Sequence, residues 1–161
     1  MVVALGSNLA GDYVSSEALL EAALAALGDA GLPVLARSAW WRSAAWPDPA
    51  GPEYRNGVAI VDAPAGPEAT LQALLRVEAG FNRRRGELNA PRTLDLDLIA
   101  YGRQVIDTPA LVLPHPRAHE RLFVMGPLAA IVPAWRHPVL GCNAAELAAA
   151  ATVGLDAKSL P

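Results

Sequence analysis

The stretch Leu94-Asp95-Leu96-Asp97-Leu98-Ile99 constrains the fold more than any other part of the chain. Side chains of a β-strand alternate between its two faces, so this run reads as a strand with Leu94, Leu96 and Leu98 turned into a core. Asp95 and Asp97 then share the opposite face, roughly 6–7 Å apart. Two carboxylates on one face repel each other and resist burial, so the pair is expected to hold a cation. Mg²⁺ suits it, because this hard ion takes one or two carboxylates and keeps its other positions for water and phosphate oxygens. Upstream, Arg92 is a planar donor fork fitted to phosphate, and Arg83-Arg84-Arg85 adds a basic run. Acids for metal beside arginines for phosphate form a nucleotide-handling constellation. The competing reading of the D-x-D alone is a solvated edge strand, and that of the arginines a solvated helix end, which we prefer for Arg84.

Around this strand the pattern alternates between helix and strand. Residues 2–5 read as a buried strand closed by the Gly6-Ser7-Asn8 turn, and 12–27 as a helix with Leu20, Leu24 and Leu27 on one face. Residues 34–42 read as a strand with Trp40 and Trp41 on opposite sides, and 54–61 as another. Pro67 opens a second helix whose inner face carries Leu71, Leu74, Leu75 and Phe81. The D-x-D strand is expected over 93–101, and 104–113 as extended and irregular. A partly helical stretch limited or bent by Pro127 is expected over 117–131, then an alanine-rich helix capped at Asn143-Ala144-Ala145-Glu146 and ending near Gly154. The order β-α-β-β-α-β predicts an α+β domain, the ferredoxin-like split βαβ: an antiparallel sheet, helices on one face, and added C-terminal elements.

With 161 residues, 53% of them hydrophobic and 18% charged, the chain is long enough for one well-packed domain, residues 1–161. A formal net charge of −3 argues against nucleic acid as the main partner. The single cysteine, Cys142, excludes a disulfide framework and is expected as a small buried hydrophobe. No leader-like n-region and no long apolar span are seen, so a cytoplasmic location without membrane partner is expected.

Several blocks, in order, resemble the 6-hydroxymethyl-7,8-dihydropterin pyrophosphokinase family of folate biosynthesis. These are Ala4-Leu5-Gly6-Ser7-Asn8-Leu9, Tyr54-Arg55-Asn56-Gly57-Val58-Ala59, the helix end and basic run from Glu78 to Arg85, and Pro91-Arg92-Thr93-Leu94-Asp95-Leu96-Asp97. Leu113-Pro114-His115-Pro116-Arg117 and Arg121-Leu122-Phe123 complete the set, which spans nearly the whole chain. The resemblance implies an ATP-dependent pyrophosphokinase that moves the β,γ-pyrophosphate of ATP onto the hydroxymethyl oxygen of the pterin and releases AMP. It implies two Mg²⁺ ions held by Asp95 and Asp97, and ATP contacts from Glu78, Arg83, Arg85, Arg92, His115 and Arg121. Arg83 and Arg92 would act on the transferred group.

It implies a pterin site in which Tyr54 and Phe123 sandwich the heterocycle, Asn56 reads its edge, and Ser43, Ala44 and Trp46 supply loop contacts beside Asp95. From the residues alone, Phe123 is read as core. The sequence departs from the family at Leu88-Asn89-Ala90, where many members carry a tryptophan and a basic residue. The loop 83–92 is expected to close over both substrates and exclude water, and the protein to act as a monomer. Two other classes share these features. A two-metal nucleotidyl transferase would release pyrophosphate instead of AMP, and a non-catalytic ligand-binding module would bind without turnover.

Overall fold

The computed structural model describes residues 1–45, 49–81 and 93–161. Eight strands are present among them: β1 (Val2–Ser7), β2 (Val34–Arg37), β3 (Trp41–Ser43), β4 (Tyr54–Val61), β5 (Asp95–Ala100), β6 (Ile106–Asp107), β7 (Val112–Leu113) and β8 (Lys158–Ser159). Four helices accompany them: α1 (Ser16–Asp29), α2 (Pro67–Gly80), α3 (Leu122–Ile131) and α4 (Ala144–Ala150). The main sheet runs β5-β1-β4-β3-β8, with β2 also paired to β4, and every pairing is antiparallel. The segment expected to be irregular before Leu113 forms the small β6-β7 hairpin.

Alternation along the central strands divides the core in two. Val3 and Leu5 of β1, Ala59 and Val61 of β4, and Leu96 and Leu98 of β5 meet Leu19, Leu20, Leu27, Leu74 and Val77 of α1 and α2. Val2, Ala4, Val58 and Ile99 face the other way, onto Val124, Met125 and Leu128 of α3 and Leu147 of α4. Helices therefore cover both faces: α1 and α2 pack on one, and α3 and α4, the added C-terminal elements, pack on the other. The C-terminal elements form the second layer because Val2, Ala4, Val58 and Ile99 make much of this face apolar, and leaving them in water would forfeit roughly 25 cal/mol per Å².

Local chemistry accounts for the element ends. Ser15 caps α1 by accepting the Ala18 N–H at 3.1 Å, so the helix begins later than the sequence pattern predicts. Pro67 sits in the first turn of α2, as expected. The inner face of α2 is Thr70, Ala73, Leu74, Val77 and Glu78, with Leu71, Leu75 and Phe81 only half-buried. Asn143 and Glu146 form the reciprocal capping box of α4, which ends at Ala150 instead of near Gly154.

The strand expected over 34–42 breaks into β2 and β3. Trp40 lies so close over Gly57 that a Cβ there would stand 2.5 Å from its ring. Ser38 bridges the break, exchanging bonds with Val58 through its N–H at 2.9 Å and its Oγ at 3.0 Å. The two tryptophans do face opposite sides: Trp40 joins the α1-α2 core and Trp41 packs on Gly126 of α3. Pro127 lies inside α3 without ending it. Cys142 is exposed, contrary to expectation, because it sits in the turn between Trp135 and α4.

Candidate active site

Asp95 and Asp97 share the face of β5 that looks toward α3, while Leu94, Leu96 and Leu98 are buried behind them. In the β5-β1-β4 register, Gly6 of β1 stands between Asp95 on one side and Asn56 on the other. Ala4 in the same way separates Asp97 from Val58. A Cβ on Gly6 would lie 3.6 Å from Asn56 Oδ1 and 3.9 Å from Asp95 Cβ. The missing side chain thus leaves an open floor between an amide and a carboxylate.

A cavity of about 310 Å³ opens over this floor. Ser43, Ala44, Tyr54 and Asn56 line one side of it, Asp95 and Asp97 another. His115, Arg117, Arg121 and Phe123 line the wall made by the segment after β7 and the start of α3. Its size falls at the small end of the roughly 300–1,000 Å³ typical of small-ligand pockets.

The polar groups of the cavity are held by their neighbours. Asn56 Nδ2 donates to Ser43 Oγ at 2.9 Å, and both residues are buried. That bond fixes which edge of the amide turns to the cavity. Arg121 Nη1 lies 3.9 Å from Asp97 Oδ2, and its guanidinium sits 5.8 Å over the Phe123 ring. Burial lowers the Arg121 pKa, opposed by Asp97, and the group remains a cation. The His115 backbone is anchored by its N–H to Ile99 O at 2.8 Å, and its Nδ1 accepts the Arg117 N–H at 3.2 Å. Burial holds the His115 imidazole below its ordinary pKa, opposed by Asp97 and Asp95 and reinforced by Arg121. The cavity therefore sets two carboxylates against two guanidinium groups and an imidazole, with two aromatic rings beside them.

The structure brings together nine predicted site residues: Ser43, Ala44, Tyr54, Asn56, Asp95, Asp97, His115, Arg121 and Phe123. Glu78 is placed elsewhere. It is 2% exposed on α2 and accepts the Leu96 N–H at 2.7 Å, fastening β5 from behind between the two aspartates. Trp46, Arg83, Arg85, Arg92, the Leu88-Asn89-Ala90 variation and the expected loop closure over 83–92 lie outside the described residues.

Six further residues line the cavity without a site role read from the sequence: Ala4, Leu5, Gly6, Arg117, Val124 and Val153. The spacing of Arg117 from His115 is a usable signal, Gly6 reads as a turn residue, and Val153 carries no local signal.

Asp95 and Asp97 offer hard oxygen donors. Among the described residues no group of three or more His, Cys, Asp and Glu side chains forms a metal cluster. Two carboxylates with room for phosphate oxygens match the demands of Mg²⁺ better than those of zinc, which takes three or four N, S or O protein ligands.

A family model for 7,8-dihydro-6-hydroxymethylpterin-pyrophosphokinase matches residues 2–133. The 2-amino-4-hydroxy-6-hydroxymethyldihydropteridine pyrophosphokinase of Synechocystis sp. is 41% identical over 147 residues, covering 91% of this chain and 73% of its own. The proteins of the same name from Methylorubrum extorquens and Pseudomonas aeruginosa are each 40% identical. The first covers 80% of both chains; the second covers 84% of this chain and 82% of its own.

Proposed function

The chain belongs to the 7,8-dihydro-6-hydroxymethylpterin-pyrophosphokinase family, and we propose that its cavity is the active site, divided into a pterin half and a metal and triphosphate half. The reaction is pyrophosphoryl transfer from ATP to hydroxymethyldihydropterin in folate biosynthesis, leaving AMP. The observation that carries the division is the row Asn56-Gly6-Asp95. Asp95 belongs to both halves, standing across Gly6 from the amide that reads the heterocycle and sharing a strand face with Asp97.

In the pterin half, Tyr54 and Phe123 hold the flat ring by stacking, while Asn56, oriented by Ser43, reads its polar edge. The hydroxymethyl group then lies toward Asp95. In the other half, Asp95 and Asp97 would hold two Mg²⁺ ions, which would supply charge neutralisation at the phosphates. Arg121, Arg117 and His115 face the phosphate oxygens from the opposite wall. Arg83, Arg85 and Arg92 are assigned to the phosphates on the resemblance alone.

The hydroxymethyl oxygen attacks the β-phosphorus in line. A new P–O bond forms, the bond between the α,β-bridging oxygen and the β-phosphorus breaks, AMP departs, and the hydroxyl proton passes to water. The chain's contribution is positioning and charge complementarity, with no side chain assigned as general base.

The fold we propose is the ferredoxin-like split βαβ. Its support is the β5-β1-β4-β3 order with α1 and α2 as the two crossovers on one face. We also propose a cytoplasmic monomer without nucleic-acid or membrane partner. The formal charge of −3 speaks against nucleic acid, and among the described residues no helix is long and apolar enough to cross a membrane.

Incubation with Mg-ATP and 6-hydroxymethyl-7,8-dihydropterin, followed by product identification, tests the reaction. AMP and a pyrophosphorylated pterin are expected. Release of pyrophosphate with a nucleotidylated product would replace this reading with nucleotidyl transfer.

A further inference from the structure

The family model's match ends at residue 133, yet the segment 152–160 touches both walls of the pterin half. At one wall it is stitched to the start of α3. Thr152 and Val153 donate their N–H groups to Glu120 O, both at 2.9 Å, and Val153 O accepts the Leu122 N–H at 2.9 Å. Val153 itself lines the cavity. The next residue, Gly154, has φ +69 and lies directly against Phe123, so that a Cβ there would stand 2.3 Å from the ring. Only glycine takes this backbone conformation without strain and leaves the ring its place.

Two residues later the segment reaches the opposite wall. Asp156 Oδ2 accepts the Ala44 N–H at 2.5 Å. The chain then continues as β8, pairing Lys158 and Ser159 with Arg42 and Trp41, and Leu160 N–H donates to Trp40 O at 2.8 Å. One short stretch thus joins the ring at Phe123 to the strand end at Ser43-Ala44, which also pairs with Tyr54.

We propose that segment 152–160 sets the width of the pterin slot, with Asp156 as a positioning residue that acts through Ala44. The proposal rests on the assignment of Tyr54, Asn56 and Phe123 to the pterin. Asp156 already occupies the Ala44 N–H, so this donor ties the end of the strand to the C-terminal segment. Without the carboxylate, Ala44 loses the charged acceptor that ties it to the C-terminal segment. A charge-assisted bond to a backbone N–H is stronger than a neutral one, and its loss should widen the slot.

The test is steady-state kinetics on Asp156→Ala, Asp156→Asn and Tyr54→Ala, with thermal melts on all three. Asp156→Ala is expected to raise the pterin KM about five- to tenfold, the order that one lost hydrogen bond commands. The KM for Mg-ATP and kcat should stay within about twofold. Asp156→Asn, which keeps an acceptor, should recover most of the pterin KM. A purely structural role would instead lower the melting temperature and the active fraction, reducing apparent kcat without moving the pterin KM. An unchanged pterin KM in Asp156→Ala, with a raised one in Tyr54→Ala, overturns the positioning role and leaves the pterin assignment standing. An unchanged pterin KM in both variants overturns the two together.

Discussion

Asn56 and Asp95 face each other across Gly6, with Asn56 Oδ1 3.6 Å and Asp95 Cβ 3.9 Å from the point where a Cβ on that glycine would lie. Both distances are ordinary contacts, so the protein would tolerate an alanine here while its cavity floor would not. Gly6→Ala is expected to change stability by no more than about 0.5–1 kcal/mol, since β1 also loses the entropic cost of a strand glycine. Pterin affinity should fall at least tenfold while Mg-ATP affinity is kept. Calorimetric titration of each ligand checks this, and equal pterin affinity in the variant would refute the placement of the heterocycle over Gly6.

Asp95→Asn and Asp97→Asn should each abolish measurable Mg²⁺-dependent turnover, a loss of at least about 10²-fold, with the fold intact. Removing one of two like charges relieves repulsion, but Asp97→Asn also gives up the ion pair with Arg121, so melting temperatures without metal should stay within a few degrees of the unaltered protein. Near-normal turnover in both variants would remove the metal assignment.

Tyr54→Ala and Phe123→Ala should weaken pterin binding more than ATP binding, each by about 0.5–1.5 kcal/mol beyond lost burial. The two differ in stability. Phe123 packs on Gly154 and beneath Arg121, so its loss leaves a gap between α3 and the C-terminal segment. Tyr54 lies at the end of β4 and its replacement should cost less. Equilibrium binding on folded protein, paired with urea unfolding, separates the two effects.

Burial holds the His137 pKa below its ordinary value of 6.5, and neighbouring His119 pushes the same way. A base with a lowered folded-state pKa binds more protons when unfolded, so stability is complete above about pH 6.5 and declines as pH falls below it. His115, also lowered, adds to the same slope. His137 Nδ1 accepts the Val139 and Leu140 N–H groups at 3.3 and 3.2 Å, and the protonated ring would compete with both bonds. Urea midpoints between pH 8 and 5 should therefore fall less steeply in His137→Gln than in the unaltered protein. Parallel curves would show that this histidine does not contribute.

Much of the site was legible because strand alternation is a strictly local rule. It told which side of β5 carries acids and which carries leucines before any neighbour was known. The capping box at Asn143-Glu146 and the first-turn proline at Pro67 are similarly local, since donor and acceptor lie within one turn of each other. The ordered blocks of family resemblance then supplied roles for residues such as His115 and Phe123, whose types alone point elsewhere.

The facing of the strands, the ends of several helices and the chemical kinds of group that gather in the cavity thus follow from local pattern along the chain. Long-range packing selects what covers each face and which distant residues meet. Periodicity says that Val2, Ala4 and Val58 want burial, but not that α3 and α4 provide it. It says nothing of Glu78 reaching Leu96 from behind the sheet, or of Trp40 lying on Gly57 and splitting a strand. Nor does it place Val153 at a cavity whose other walls begin at residue 4, or Asp156 against Ala44. These contacts are selected by packing between segments up to 150 residues apart, and the free energy that chooses them belongs to the closed arrangement as a whole, not to any stretch of chain read alone.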